Sequence, residues 1–132
     1  MARTNLIRAV FYVLILIALL HVSAVAFFFY WTYWWFDIPM HFLGGVAVGL
    51  FSLWIFGFDG GKRRPLSSGR ALLIALVGSL AFGLAWEYFE YANGITFNTI
   101  GNYPLDTIKD LLVDVCGGYV SHLYFLARGY NQ

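Results

Sequence analysis

Three segments of the sequence carry acidic residues or a histidine spaced about one helical turn apart. Their polar residues recur at intervals of three or four, so on a helix each set would project from one face. Six are carboxylic acids and one is an imidazole. The residues are Asp37, His41, Glu87, Glu90, Asp106, Asp110 and Asp114. If the three faces meet, these residues form a single site, which we call the acidic cup.

Carboxylates a few ångströms apart cannot all ionise at low cost, so one takes up a proton or a cation neutralises the group. A divalent cation bound by carboxylate oxygens and one imidazole is expected to be Mg, Mn, Fe or Zn rather than Cu, and all seven residues are candidate ligands. Glu87, His41 and Asp114 are candidates for general acid–base catalysis. The same groups could instead relay protons or cations in transport.

Some of these acids also have a purely structural explanation. Asp37 could cap the helix that starts near Pro39, because aspartate is favoured at that position. Asp106 and Asp110 could stabilise the start of another helix through its dipole. In these explanations the carboxylates serve the fold and bind nothing.

Asp110 has a second alternative, and Glu90 and the histidine each have one. Asp110 beside Lys109, and Glu90 near the end of its apolar segment, could be solvated charges. His41 could simply form a hydrogen bond with a neighbour. Glu87 and Asp114 lie deeper within apolar segments, where charged groups usually mark function.

The elements that position these residues are predicted to cross a membrane. Of the 132 residues, 61% are hydrophobic and only 11% are charged, whereas about a quarter are charged in a soluble domain. The apolar residues form four blocks, at about 7–30, 40–58, 71–91 and 107–127. About 20 apolar residues cross the hydrocarbon core as a helix. The sequence therefore predicts an all-α, four-helix transmembrane bundle, a single integral membrane domain over residues 1–132.

The basic residues predict the orientation of these spans. Lysine and arginine in short loops stay on the cytoplasmic side, and with four crossings all but one fall on one side. The residues on that side are Arg3, Arg8, Lys62, Arg63, Arg64, Arg70 and Arg128. Lys109 is the exception. Both termini are therefore predicted to be cytoplasmic, with the acidic cup near the outer face and only Asp59 among the acids inside.

Small residues continue each polar face toward the middle of its predicted span. They are Gly45, Gly49, Ser79, Gly83, Gly117 and Ser121. Small residues let membrane helices approach closely. We therefore expect the three faces to pack against one another, with the acidic cup at their outer ends.

Other residues with chemical potential have simpler explanations. We expect His21 and His122 to be buried neutral histidines bonded to a backbone carbonyl or a hydroxyl. Cys116, the only cysteine, is expected in the core and cannot form an internal disulfide. Residues 23–26 resemble a signal-peptide cleavage site. However, the apolar run continues to Tyr30, beyond the usual length of about 7–15 residues, which favours a retained helix.

The three motifs resemble those of known membrane protein families. The segment from Asp37 to Phe42 resembles the Asp-x-x-x-His-Phe motif of VanZ-like proteins. Glu87 to Glu90 falls at their Glu-x-x-Gln pair, and Asp110 to Gly117 resembles their Asp-x-x-x-Asn-x-x-Gly run. The order of the motifs is also similar to that in the YjdF-like inner-membrane family.

The departures from the VanZ pattern make this site more acidic. Glu90 stands in place of glutamine, Asp114 in place of asparagine, and the arginine expected before the last VanZ motif is missing. These differences argue against transferring the VanZ role, lowered sensitivity to lipoglycopeptide antibiotics. The YjdF-like pattern fits better, because its Asp-x-x-x-Asp run matches Asp106 to Asp110. The resemblance implies a small polytopic inner-membrane protein with a site at these motifs.

These observations predict an outward-facing site that binds a divalent cation and acts on, or binds, a lipid or lipid-linked ligand of the cell envelope. Glu90 and Asp106 would adjust its charge, and the other residues of the acidic cup would contact the cation or ligand. One alternative is a small proton- or cation-coupled transporter that forms homo-oligomers. Another is a non-catalytic membrane assembly partner. The expected location is a bacterial-type inner or plasma membrane, with lipids as partners and no nucleic acid, and the sequence does not decide whether the chain is an enzyme.

Overall fold

Helices account for most of the chain in the computed structural model, which describes residues 2–59, 62–95 and 102–130. Within these residues the chain forms five helices and two short strands. In chain order they are α1 (Ala2–Ala26), α2 (Phe29–Thr32), α3 (Asp37–Phe56), β1 (Phe58–Asp59), β2 (Lys62–Arg63), α4 (Ser68–Asn93) and α5 (Tyr103–Ala127). The predicted all-α class is confirmed, and the antiparallel pair β1–β2 is a small addition in a connecting loop.

Three of the described helices, α1, α3 and α4, are long and apolar enough to cross a membrane. At 25 residues, α5 is equally long, but it carries Asp106, Lys109, Asp110 and Asp114 and falls outside that group. The helices α3, α4 and α5 coincide with the second, third and fourth predicted spans to within four residues at each end. The acids of the predicted site thus set α5 apart from the other long helices.

The predicted first span, residues 7–30, is too long at its C-terminal end. α1 ends at Ala26, and Phe28 takes a left-handed backbone conformation with φ of 59°. The chain turns here because Tyr30 packs back against α1, where its hydroxyl lies 3.0 Å from Nδ1 of His21. The aromatic residues that follow therefore form a turn and the short helix α2, not the end of a spanning helix.

Local sequence signals define where α4 and α5 begin and where α4 ends. The side chains of Ser67 and Asn102 cap the two helices, each accepting a hydrogen bond from the backbone N–H three residues later. α4 is followed by Gly94, whose φ of 64° is a left-handed conformation that glycine adopts without steric cost. Gly94 therefore forms a turn at the end of α4, and residues 96–101 of the connection that follows lie outside the described residues.

The helices α3, α4 and α5 pack against one another, and α1 packs against α3. Small residues make the closest approaches. A Cβ atom on Gly45 would collide with the backbone oxygen of Asp114, and one on Gly49 would lie 2.7 Å from the hydroxyl oxygen of Ser121. The hydroxyl of Ser79 donates to the backbone oxygen of Gly45 at 2.9 Å. The small-residue faces therefore meet as predicted.

A cluster of buried apolar residues fills the end of the molecule where α3 finishes and α4 begins. It includes Leu6 of α1, Leu53 of α3, Ala71 of α4 and Phe125 of α5. The four long helices therefore share one apolar core at this end, opposite the start of α3. Gly60 and Gly61, which connect β1 to β2, lie outside the described residues.

Large apolar side chains cover the outside of the packed helices. Phe11, Leu19, Val77 and Leu112, for example, are each more than half exposed. Soluble monomers rarely expose apolar patches of more than a few hundred Å², so this exterior suits lipid. Cys116 also lies on the exterior. The prediction that Cys116 lies in the core is wrong, because glycines of α5 occupy the inward face of this helix.

The two histidines outside the acidic cup depart from expectation in different ways. His21 does contact a hydroxyl, that of Tyr30, but its ring is exposed because α1 lies at the edge of the packed helices. His122 is buried beside the ring of Tyr119, and its Nδ1 has no hydrogen-bond partner among the described residues. Each histidine therefore meets only part of the expectation.

Candidate functional site

All seven residues of the acidic cup lie at one end of the packed helices. α3 begins at this end, α4 finishes there and α5 begins there, so the alternating chain direction brings the three motifs together. The buried members are His41, Glu87, Asp110 and Asp114, and the half-buried members are Asp37, Glu90 and Asp106. The structure thus assembles the predicted residues at one place, whatever their role.

The imidazole of His41 lies at the centre of the cup. Its Nε2 atom is 3.6 Å from Oδ2 of Asp37, one turn earlier on α3, and 3.9 Å from Oε1 of Glu87 on α4. Its Nδ1 atom is 3.4 Å from Oδ2 of Asp114 on α5. One buried ring is therefore within 4 Å of carboxylates from three helices, and the expectation of a hydrogen-bonded neighbour is met by Asp114.

Two glycines make room for the carboxylate of Asp114. A Cβ atom on Gly83 of α4 would collide with Oδ2 of Asp114, and one on Gly45 of α3 would collide with its backbone. Because neither helix has a side chain at these points, both approach α5 closely. The glycines therefore allow a charged residue to sit between three helices, next to His41.

Glu87 is held by two residues of α5 that the sequence interpretation missed. Thr107 donates its hydroxyl to Oε2 of Glu87 at 2.7 Å, and the hydroxyl of Tyr103 donates to the Glu87 backbone oxygen at 2.8 Å. The other carboxylate oxygen, Oε1, is buried and has no hydrogen-bond partner among the described residues. Tyr103, Thr107, Asp110 and Asp114 follow one another at intervals of three or four, so helical spacing could have identified both residues.

Lys109 takes part in the charge balance of the cup. Its ammonium nitrogen lies 2.7 Å from Oδ1 of Asp106 and 3.1 Å from Oδ1 of Asp110. The contact with Asp106 is a hydrogen bond. The contact with Asp110 does not have the alignment of a hydrogen bond, and Oδ1 of Asp110 has no hydrogen-bond partner among the described residues. Asp110 is only 2% exposed, so its interpretation as a solvated charge is wrong.

The capping explanation for Asp37 is also wrong. Phe36 occupies the N-cap position of α3 without a side-chain hydrogen bond, and Asp37 is the first helical residue. Asp106 lies in the first turn of α5, whose cap is Asn102. Both acids still interact favourably with a helix dipole. Asp110 lies beyond that first turn, so a favourable position at the helix start does not explain its burial.

A fourth element reaches the cup through Tyr30 of α2. The side chain is buried, and its hydroxyl is 3.0 Å from Nδ1 of His21. Burial, together with the negative charges of Asp37 and Glu90, raises the pKa of Tyr30 to about 12. The phenol therefore stays protonated beside two acids. The sequence interpretation missed this residue because it placed Tyr30 in the first span, where no spacing relates it to the acids.

Two groups of residues within the cup have the spacing to hold a cation. Asp37, His41 and Asp110 form one, and His41, Glu87 and Glu90 form the other; in each, one ligand atom per residue lies within 4.8 Å of the others. Carboxylate oxygens with one imidazole suit Mg, Mn, Fe or Zn. Oε1 of Glu87 and Oδ1 of Asp110 are buried and have no hydrogen-bond partner among the described residues, although Oδ1 of Asp110 forms an ion pair with Lys109, and a cation would satisfy both oxygens. The donor set therefore fits a divalent cation.

Comparison with other proteins supports the membrane assignment. No curated protein and no solved structure matches the chain. The family described as "Predicted membrane protein (DUF2238)" matches residues 1–131, almost the entire length. Its description agrees with the apolar exterior and with the three helices suited to crossing a membrane. The chain therefore belongs to this family of predicted membrane proteins.

Proposed function

We propose that this chain crosses the membrane four times and that its acidic cup faces the outer side, binds a divalent cation, and acts on or binds a lipid or lipid-linked ligand of the cell envelope. The observation that carries the proposal is one buried imidazole, that of His41, within 4 Å of carboxylates from three helices. Each charged group at membrane depth costs at least about 2.5–3.5 kcal/mol on insertion scales. A bound divalent cation would offset that cost.

The two ring nitrogens of His41 support a division of roles within the cup. Nε2 faces Asp37 and Glu87, so we assign these side chains, together with Asp110, to the cation. Nδ1 faces Asp114. A carboxylate bonded to the second nitrogen of a metal-binding histidine fixes the orientation and tautomer of the ring. Asp114 would therefore position His41 as well as add negative charge to the site.

The same residues could carry out acid–base chemistry on a bound substrate. While Nε2 of His41 is free of the cation, Glu87 and His41 are adjacent groups that can exchange a proton with a ligand in the cup, and Asp114 would stabilise the charged imidazole that results. A bound cation would supply electrostatic stabilisation of negative charge on the substrate. Catalysis is thus one form of the proposal, and binding without turnover is the other.

The distribution of basic residues supports the outward orientation. Arg3 lies over the ring of Trp54, near the end of α3, and Arg63 donates to the backbone oxygen of Gly129 at 3.0 Å. Both contacts are at the end of the helices opposite His41. Because arginine and lysine near short loops stay in the cytoplasm, this end would be cytoplasmic and both termini with it.

The packing of α5 supports a fourth crossing. A helix of 25 residues is about 37 Å long at 1.5 Å per residue, enough for a hydrocarbon core of about 30 Å. Along its length, Asp114 packs at the cup, Ser121 donates to the backbone oxygen of Val46, and Phe125 joins the apolar core at the other end. The charged residues that set α5 apart face the cup and the neighbouring helices, not the hydrocarbon core of the bilayer.

The aromatic residues beside the cup support a lipid or lipid-linked ligand. Phe28, Trp31 and Trp34 are exposed around α2, while Tyr30 of the same segment reaches the acids. Aromatic residues of this kind are enriched where lipid meets water. A ligand with an apolar tail and a polar head could therefore approach along α2. The resemblance to YjdF-like and VanZ-like proteins favours the inner membrane of a bacterial-type cell.

The transport alternative has less support. It requires polar groups that continue inward from the cup. Ser79 and Ser121 lie in that direction, but their hydroxyls donate to backbone oxygens of α3. His21 lies on an exposed face beside Tyr30. Its exposed ring therefore does not extend a polar path inward from the cup. A non-catalytic membrane assembly partner is the second alternative.

Metal analysis of the protein purified in mild detergent tests the proposal. We expect the wild type to retain a divalent ion in stoichiometric amount, and Glu87→Gln/Asp114→Asn to lose it while keeping its helical content. Asp59→Asn removes an exposed acid outside the cup and is the matched control. If folded wild type holds no divalent metal under these conditions, the cation site is refuted, and a pH-gradient flux assay in liposomes would test the relay alternative.

A further inference from the structure

We propose that Lys109 makes the acidic cup selective for divalent over monovalent cations. This inference rests on the proposed cation site and adds an internal competitor to it. The ammonium of Lys109 already acts as a cation for the cup, 2.7 Å from Oδ1 of Asp106 and 3.1 Å from Oδ1 of Asp110. A free cation that binds to Asp37, His41 and Asp110 must share the Asp110 carboxylate with the ammonium or displace it.

The lysine is an effective competitor because it is tethered. It lies three residues after Asp106 and next to Asp110 on α5, so its ammonium is held near both carboxylates at a high effective concentration. Its side chain is 25% exposed, and its four-carbon stem is flexible. The ammonium can therefore move toward water when a stronger cation takes its place.

Charge decides which cations can displace the ammonium. A monovalent ion carries the same charge as the ammonium and gains no Coulombic advantage from the exchange. A divalent ion doubles the interaction with every carboxylate. It can also use Oε1 of Glu87, which is buried without a hydrogen-bond partner among the described residues, and Oδ2 of Asp37. Lys109 therefore excludes Na⁺ and K⁺ at ordinary concentrations but admits a divalent ion.

Thermal unfolding of the full-length protein in detergent provides the test, because a ligand that binds the folded state raises the midpoint temperature. Mn²⁺ is the divalent probe and Na⁺ the monovalent probe, with choline chloride as the control for ionic strength. Lys109→Gln removes the competing charge. Lys62→Gln, at an exposed position on β2 at the other end of the molecule, is the matched control because Lys62 is the only other lysine.

We expect wild type and Lys62→Gln to be stabilised by Mn²⁺ and to respond equally to Na⁺ and choline. Lys109→Gln should bind Mn²⁺ about tenfold or more tightly, since a positive charge beside the ion is gone, and should gain a specific response to Na⁺. Lys109→Arg should move the other way and weaken Mn²⁺ binding, because a guanidinium holds two carboxylates with more hydrogen bonds.

The outcomes separate this inference from the cation site itself. If wild type responds to Mn²⁺ but Lys109→Gln shows neither tighter binding nor a Na⁺ response, the competitor role is overturned and the cation site stands. If Lys109→Gln does not fold, unchanged Mn²⁺ binding in Lys109→Arg overturns the competitor role in the same way, and weaker binding supports it. If no variant responds to Mn²⁺, both proposals fail together.

Discussion

The Nδ1 atom of His41 lies 3.4 Å from Oδ2 of Asp114, a residue 73 positions later in the chain and on a different helix. This contact depends on two glycines. Gly45 and Gly83 leave the space that the backbone and carboxylate of Asp114 occupy. The orientation of the imidazole is therefore set by how closely three helices pack, which links the small-residue faces directly to the chemistry of the acidic cup.

Single substitutions should separate the positioning role of Asp114 from the ligand role of Glu87. Asp114→Asn keeps an oxygen that can accept from Nδ1 of His41, so we expect Mn²⁺ affinity to fall by about 10–100-fold, as for other carboxylates behind a metal-binding histidine. Glu87→Gln removes one of the two carboxylate charges on the Nε2 side, that of a proposed ligand, and should abolish detectable binding. Titration with Mn²⁺, followed by the midpoint of thermal unfolding, measures both.

The rank order of these two variants is the decisive result. Stronger loss in Asp114→Asn than in Glu87→Gln would reverse the assigned roles and make Asp114 the ligand. Asp59→Asn should behave as wild type, because this acid is exposed and outside the cup. A similar loss in that control would point to surface charge in general and against a defined site.

Thr107→Val should destabilise the protein through Glu87. The hydroxyl of Thr107 donates to Oε2 of Glu87 at 2.7 Å. Valine has nearly the shape of threonine but cannot donate this hydrogen bond. A buried carboxylate oxygen left without its donor costs about 1–3 kcal/mol. We expect the free energy of unfolding to fall by this amount without added metal. Thr4→Val, at an exposed position on α1, should leave it unchanged, and equal effects of the two would argue against the hydrogen bond.

Gly45→Ala tests the close contact between α3 and α5. Its Cβ would collide with the backbone of Asp114, which cannot move aside as a flexible side chain could. Overpacking of this kind costs about 1–3 kcal/mol, so the free energy of unfolding should fall by at least that much. Gly69→Ala is the matched control. A Cβ there would meet nothing within 4 Å, and in helix α4 alanine should raise the stability by up to about 1 kcal/mol.

Much of the fold follows from short-range patterns. The apolar blocks specify where α3, α4 and α5 lie, because only a helix satisfies its backbone within lipid. The spacing of Asp37 and His41, and of Gly45 beyond them, specifies which face of α3 turns inward. These predictions succeed because the helical period and the cost of burying charge act locally, without reference to the rest of the chain.

The remaining features depend on contacts between distant residues. α1 ends at Ala26 because Tyr30 packs back toward His21, which no local pattern in the aromatic run indicates. Cys116 lies on the exterior and not in the core as expected, because glycines occupy the inward positions of α5. The position of the Lys109 ammonium between Asp106 and Asp110 also depends on the burial of Asp110 by other helices. Tertiary packing decided each of these, and local propensity was the weaker influence.

The proposed topology is tested by cysteine labelling in intact cells, in a Cys116→Ser background. Asn93→Cys lies at the acidic end of α4 and should react with a membrane-impermeant maleimide. Arg64→Cys, before α4, and Arg128→Cys, after α5, are exposed positions at the basic end and should react only after permeabilisation. Labelling of Arg128→Cys together with Asn93→Cys, but not of Arg64→Cys, in intact cells would show that α5 does not cross. Labelling of Arg64→Cys but not Asn93→Cys would show that the orientation is the reverse of the proposed one. The acidic cup would then face the cytoplasm, and the basis for a cell-envelope ligand would be lost.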